Sequence, residues 1–229
     1  RAKSLEYYKR FPGDRVRFAE LAALAKKGEI ATPSGDVVCP SRLRSLGHLL
    51  GASGGAEKLH YLLEYPHTSR AFRHDLAELL PYGGRNPLYA VIHESSYADG
   101  VVTDWSAARM LPDDFREDPT LLTGEHVMPE WFDTDQELRP WKEVADLIAN
   151  HPWPKLYDPD VLRTAEVPCA AAVYHDDAYV PRKFSLETAA LLPQMHAWVT
   201  TEYEHNGSNA SGGTVLDRLI KLAKGEIVR

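Results

Sequence analysis

Cysteine is nearly absent: the 229 residues hold only Cys39 and Cys169, far apart and at no spacing that suits a metal or a redox pair. A disulfide scaffold is therefore excluded. Cys169 reads as a small buried thiol within an apolar run, and a reducing cytoplasm is the expected location. Long hydrophobic runs are missing too. Nothing approaches the ~20 apolar residues that cross a bilayer, and no signal peptide is visible, so no membrane partner is expected. Positive charge is the scarcer sign, with 26 Lys and Arg against 33 Asp and Glu and a net charge of -7. Phosphate binding needs clustered Lys and Arg, and no nucleic-acid partner is expected. Glycine-rich phosphate loops are also lacking. His93-Glu94 and His175-Asp176-Asp177 contain ligand residue types, but no H-E-x-x-H or cysteine pair supplies coordinating geometry. No metal and no cofactor is expected.

What is present is an ordinary globular composition, 44% apolar and 26% charged, long enough for one or two domains. Residues 1–150 read mainly as helices joined by Gly- and Pro-rich turns. Asp14 can cap a helix with the apolar face Phe18, Leu21, Ala22 and Ala25, ending at Gly28. Ser41 opens another, with Leu43, Leu46 and Leu50. Leu59, Leu62 and Leu63 mark a third, and Phe72, Leu76, Leu79 and Leu80 a fourth that stops at Pro81. Leu88, Val91 and Ile92 follow, then Trp141, Val144, Ala145 and Ile148. The string HPWPKLYDP concentrates prolines between two differently patterned regions. It sets the expected boundary between a helical domain, 1–150, and a parallel-sheet segment, 151–229.

The second region is organised around residues 167–207. An apolar run from Val167 to Val173 has the length and β-branched flanks of a strand buried on both faces. Asp176 and Asp177 stand where it ends. Ser185 to Leu192 carries Leu186, Ala189 and Ala190 at helical spacing, and HAWVTT supplies a second strand, with His205 just beyond it. Parallel strands joined by a crossover helix place their loops at one carboxyl edge. An aspartate and His205 can therefore meet there as an orienting acid and a general base. Two parallel strands bury their faces only with more sheet beside them, so an obligatory contact with further α/β structure is expected.

The strings YYKRFPGDRVR, NPLYAVIHE, LLTGEHVMPEWF, VPCAAAVYHDDAYV and TTEYEHNG resemble those of the prolyl aminopeptidases (proline iminopeptidases) of the α/β-hydrolase superfamily across nearly the whole chain. The resemblance implies an α/β fold: the C-terminal segment of an α/β-hydrolase core preceded by an all-helical cap or lid. It implies a serine aminopeptidase that releases proline from peptides with N-terminal proline. In chain order the nucleophilic serine precedes Asp and His, so the N-terminal α/β-hydrolase half carrying it is expected upstream of Arg1. The start without Met, inside a helical pattern, fits that expectation. Alone, the chain should be inactive.

The resemblance assigns His205 as base and Asp177, in preference to Asp176, as its orienting acid. Glu94 and Glu125 align with segments contributing glutamates that hold a substrate amine. The competing reading of Glu94 is a bridge to an arginine such as Arg109. Trp131 and Phe132, with Tyr89 and Tyr97, are the nearest aromatic candidates for a proline pocket. An esterase or amidase, or a non-catalytic peptide-binding module, are the rival readings. Gly51-Ala52-Ser53-Gly54-Gly55 matches G-x-S-x-G, but a nucleophile elbow needs a strand before its serine. The leucines and arginines preceding Ser53 have helical spacing, which favours a structural, helix-capping turn.

Overall fold

The computed structural model describes residues 1–82 and 86–228. They form two compact units, one of Arg1–Leu50 with Ala56–Leu156 and the other of Gly51–Gly55 with Tyr157–Arg229. The proline-rich string 151–159 spans the junction. A short segment, Gly51–Gly55, interrupts the first unit in sequence and groups with the second.

The first unit is helical. Its helices are α1 (Ala2–Arg10), α2 (Pro12–Lys26), α3 (Pro40–Arg44), α4 (Gly55–Glu64), α5 (Arg70–Leu79), α6 (Pro87–Ile92), α7 (Ser106–Arg109), α8 (Asp113–Glu117), α9 (Trp131–Thr134) and α10 (Lys142–Ala149), with 3-10 turns at Ser45–Gly51, His93–Tyr97 and Arg139–Trp141. One isolated antiparallel bridge, Ala31 to Val37, is its extended pairing among the described residues. The apolar stripe of α2 faces inward as expected, and the chain leaves that helix through Gly28 at φ +73, a left-handed conformation that glycine adopts without steric cost.

Asp14 is not the cap of α2. Pro12 takes the first helical position, where its missing N–H costs nothing, so the helix begins earlier and Asp14 falls in its first turn. There it is buried and accepts from Tyr7 Oη at 2.5 Å, Arg17 Nη1 at 3.0 Å and His60 Nδ1 at 2.9 Å. It ties α1, α2 and α4 together. Ser41 likewise lies one residue inside α3, which Pro40 opens.

Two apolar clusters fill the unit. One gathers Phe18, Leu43, Leu46, Leu59, Leu62, Phe72 and Leu76; the other gathers Ala90, Val91, Val127, Met128, Trp131, Phe132, Leu138 and Ala145. The faces of α6 and α10 follow the periodicity reading at Val91, Ala145 and Ile148 and depart from it elsewhere. Leu88, Ile92, Trp141 and Val144 are exposed, whereas Ala90, Val91, Ala145 and Ala149 are buried. Small residues on the inner faces let α6 and α10 approach closely.

The second unit contains α11 (Pro159–Arg163), β1 (Cys169–Tyr174), α12 (Arg182–Ala189), β2 (Met195–Thr200), α13 (Gly207–Ala210) and α14 (Thr214–Ala223). β1 and β2 pair in parallel, in register from Cys169 with Met195 to Tyr174 with Thr200, and α12 and α14 pack on them. Only Val173 and Tyr174 of β1 are fully buried. Cys169 and the three alanines are half-buried, because no third strand joins this sheet among the described residues. Val167, Phe184, Val199, Leu216 and Ile220 are exposed apolar side chains of the same unit.

Candidate active site

The register sets the geometry. Tyr174 and Thr200 are paired at the carboxyl ends of the strands, and the ladder extends by one bond from His175 N–H to Thr200 C=O at 2.9 Å. The loops carrying Asp177 and His205 therefore leave the sheet at one edge. His205 Nδ1 lies 2.9 Å from Asp177 Oδ2 and 3.2 Å from Oδ1, across 28 positions of sequence. Asp176 turns away and pairs with His175 on the surface, at 2.8 Å. The choice between the two acids comes from the turn itself. Asp177 Oδ1 accepts from the backbone N–H groups of Tyr179 at 2.8 Å and Val180 at 3.0 Å, an Asx-type turn that fixes the carboxyl with Oδ2 toward the imidazole.

The side chain of Asp177 is 6% exposed and that of His205 45%. A shielded carboxylate behind an accessible imidazole is the arrangement in which the acid holds Nδ1–H and leaves Nε2 to exchange protons. The Tyr179 ring lies against the imidazole, with centroids 4.7 Å apart. Gly207, two residues after His205, sits where a Cβ would come within 2.5 Å of the Tyr174 hydroxyl. Its lack of a side chain lets the loop close down on the end of β1.

Ser53 stands in an exposed turn, after the 3-10 turn Ser45–Gly51 and before α4. The strand that an elbow needs is not there.

In the first unit, Glu94 is 1% exposed. Its Oε2 accepts from Ser106 N–H at 3.2 Å, while its Oε1 is buried with no hydrogen-bond partner. Arg109 does not meet it. That guanidinium goes to the carbonyls of Thr103 and Asp104 and to the Asp104 carboxylate. The donor for Oε2 is presented by Asp104 and Trp105, both at positive φ (47° and 54°). Such conformations cost about 1–3 kcal/mol for a non-glycine residue and cluster at sites where geometry is imposed for a purpose.

Glu125 lies among tyrosines. Its Oε1 accepts from Tyr89 Oη at 3.3 Å, and its backbone carbonyl accepts from His93 Nε2 at 2.9 Å and Tyr97 Oη at 3.2 Å. The Tyr82 ring stacks on Tyr89 at 5.2 Å and lies 5.3 Å from His93. Burial first, and then the charge of Glu125, pushes the Tyr82 phenol far above its ordinary range. Tyr97 moves the same way, by burial and then by the charges of Glu94 and Glu125, so both carboxyls act on one phenol. His93 Nδ1 joins Glu94 Oε1 as a buried polar atom without a hydrogen-bond partner. Orphaned groups of this kind carry a standing desolvation cost.

The raised phenols set a pH dependence. In the unfolded chain a tyrosine ionises near pH ~10, whereas Tyr82 and Tyr97 keep their protons there. Above that pH the unfolded state loses protons that the native state retains, so stability falls as pH rises. Alkaline titration of the folded protein should leave part of the phenolate absorbance unexpressed until the chain unfolds.

Trp131 and Phe132 are fully buried in the second apolar cluster. Trp131 Nε1 donates to Ser41 Oγ at 2.9 Å, and the Arg42 guanidinium covers its ring at 4.6 Å. Neither ring opens onto a surface; Trp131 backs Tyr82 at 6.4 Å. Tyr82 and His93 were not among the sequence-predicted binding residues. Tyr82 has φ 59°, and the proline before it in the sequence was the available hint of an imposed backbone there. Among the described residues no group of His, Cys, Asp and Glu is arranged to hold a metal ion, and no helix is long and apolar enough to cross a membrane.

No family model matches the chain. It is 36% identical over 234 residues to the proline iminopeptidase of Aeromonas sobria, a match covering 96% of this chain and 54% of that protein. It is 25% identical over 234 residues to proline iminopeptidase aneH of Aspergillus aculeatus, covering 96% of this chain and 52% of that protein. The chain spans about half the length of the curated relatives it matches. Over nearly all of its own length it is homologous to proline iminopeptidases.

Proposed function

We propose that this chain is the cap and Asp/His arm of a proline iminopeptidase, a serine aminopeptidase of α/β-hydrolase fold that releases N-terminal proline from peptides. The observation that carries the reading is the match over 96% of the chain to a protein named proline iminopeptidase. The Asp177–His205 pair at the carboxyl edge of a parallel sheet supports it, since the relatives' chemistry needs a base held in that way.

In this reading His205 Nε2 takes the proton of a serine hydroxyl as Oγ attacks the carbonyl carbon of the prolyl residue. The proton then passes to the departing amine nitrogen as the C–N bond breaks, and water hydrolyses the acyl-enzyme with His205 again as base. Asp177 keeps Nδ1–H in place and stabilises the imidazolium. Glu94 and Glu125 receive the substrate's ammonium, walled by Tyr82, Tyr89 and Tyr97 with Trp131 and Phe132 behind. Backbone N–H groups outside this sequence would form the oxyanion hole. The serine belongs to an α/β portion that also covers the exposed Val199, Leu216 and Ile220.

Fluorophosphonate labelling of the whole polypeptide carrying this chain, with the adduct located by peptide mass spectrometry, tests the assignment. The adduct is expected on a serine outside the present sequence. An adduct on Ser53 would overturn it.

A further inference from the structure

The one catalytic-looking string left without a role is Gly51-Ala52-Ser53-Gly54-Gly55. It groups with the second unit although its sequence neighbours on both sides belong to the first, and its contacts converge on the loop of His205. The Gly51 carbonyl accepts from His205 N–H at 3.1 Å. Ser53 N–H donates to Asn206 Oδ1 at 3.0 Å. The third contact is steric. A Cβ on Gly51 would come within 2.1 Å of Tyr179 Cε2, and the Tyr179 ring is the one that lies 4.7 Å from the imidazole. Gly54, at φ +78, closes the turn in a conformation suited to glycine.

We propose that the Gly51–Gly55 turn is a clamp that positions His205, with Gly51 and Asn206 as its positioning residues, and that its resemblance to a nucleophile elbow is incidental. The proposal rests on the reading of His205 as the base. Asp177 fixes the imidazole only at Nδ1, which leaves the ring free to swing with its own backbone. His205 lies in a loop past the end of β2, where no sheet bond holds it. The turn supplies what is missing: one bond to the His205 backbone, one to the next side chain, and a surface without a Cβ that lets Tyr179 pack on the ring face. Changes in this turn therefore reach the proton-transfer geometry without touching substrate.

The test uses the whole active polypeptide. Gly51→Ala pushes Tyr179 toward His205, and Asn206→Leu removes the acceptor for Ser53 N–H at similar volume. Each should lower kcat by about tenfold to a hundredfold with KM unchanged, because small misplacements of a reacting group have effects of that size. Each should also shift or broaden the low-field proton resonance of His205 Nδ1–H. Asn206→Asp keeps an acceptor and should recover most of the loss. His205→Ala is the control for the underlying reading. If it abolishes turnover while Gly51→Ala and Asn206→Leu stay within twofold of the parent in kcat and leave the resonance unmoved, the clamp is wrong and the base assignment stands. If His205→Ala retains turnover, the base assignment itself fails.

Discussion

Replacing His205 by Ala, or Asp177 by Asn, is expected to reduce kcat/KM of the whole enzyme for a prolyl amide by about ten-thousandfold, while leaving thermal stability nearly unchanged. The size follows from the division of labour in a serine triad: the imidazole moves the proton, and the acid selects the tautomer in which Nε2 can accept it. The Asp177→Asn change supplies an amide that can donate to Nδ1 and so favours the wrong tautomer. The Asx turn gives a finer expectation. Since Asp177 Oδ1 already takes the N–H groups of Tyr179 and Val180, the substituted amide can keep that turn through its carbonyl oxygen and the loop should hold its shape. Asp176→Asn removes only a surface contact with His175, and its effect should be within about twofold, as expected of a surface substitution. A large loss from Asp176→Asn together with a small one from Asp177→Asn would exchange the roles assigned to them.

The second large effect concerns the amine. Glu94→Gln with Glu125→Gln should lower kcat/KM for substrates with a free N-terminal proline by about a thousandfold, since each charge-assisted bond contributes about 1.5–3 kcal/mol. The same variant should hydrolyse an activated ester without an amine at nearly the parental rate. This contrast separates an amine anchor from acids that only stitch helices together, for which both substrates would suffer alike. The orphaned Oε1 of Glu94 leads to a corollary. A carboxyl buried with one oxygen unpaired is a site of stored cost, so Glu94→Gln should not destabilise the folded chain, and binding of a prolyl ligand should raise the melting temperature of the parent more than that of the variant.

The positions of these residues differ in how far sequence could reveal them. Asp177 and His205 were legible because a parallel β-α-β unit fixes where its loops emerge, whatever the side chains around them. Choosing Asp177 over Asp176 drew on family resemblance at first, and in the structure it has a local cause, the Asx turn. The amine-binding reading of Glu94 and Glu125 came through resemblance, since a glutamate in a 3-10 turn or a loop has several possible partners. Tyr82 and His93 were not expected beside Glu125, because that cluster forms only where separate segments of the chain converge. Trp131 and Phe132 show the reverse. Standing close to an acid in sequence, they looked available, yet α9 turns both rings into the core. Periodicity likewise could not weigh small residues against large ones, which is why Ala90 and Ala149 are buried while Leu88 and Val144, expected on the apolar faces, are exposed. The Gly51–Gly55 turn carried the letters of a nucleophile elbow without the strand that an elbow needs, and its contacts are with His205 and Asn206.

The most direct measurement compares kcat/KM of the whole polypeptide for a prolyl amide and for the same amide with an N-acetylated proline. Acetylation leaves the scissile bond and the pyrrolidine ring in place and replaces the charged amine by a neutral, bulkier amide. If Asp177 and His205 serve a serine aminopeptidase whose substrate is held by Glu94 and Glu125, the free amine should be preferred by about a hundredfold or more. Equal turnover of the two would contradict an aminopeptidase and return the two glutamates to a purely structural role.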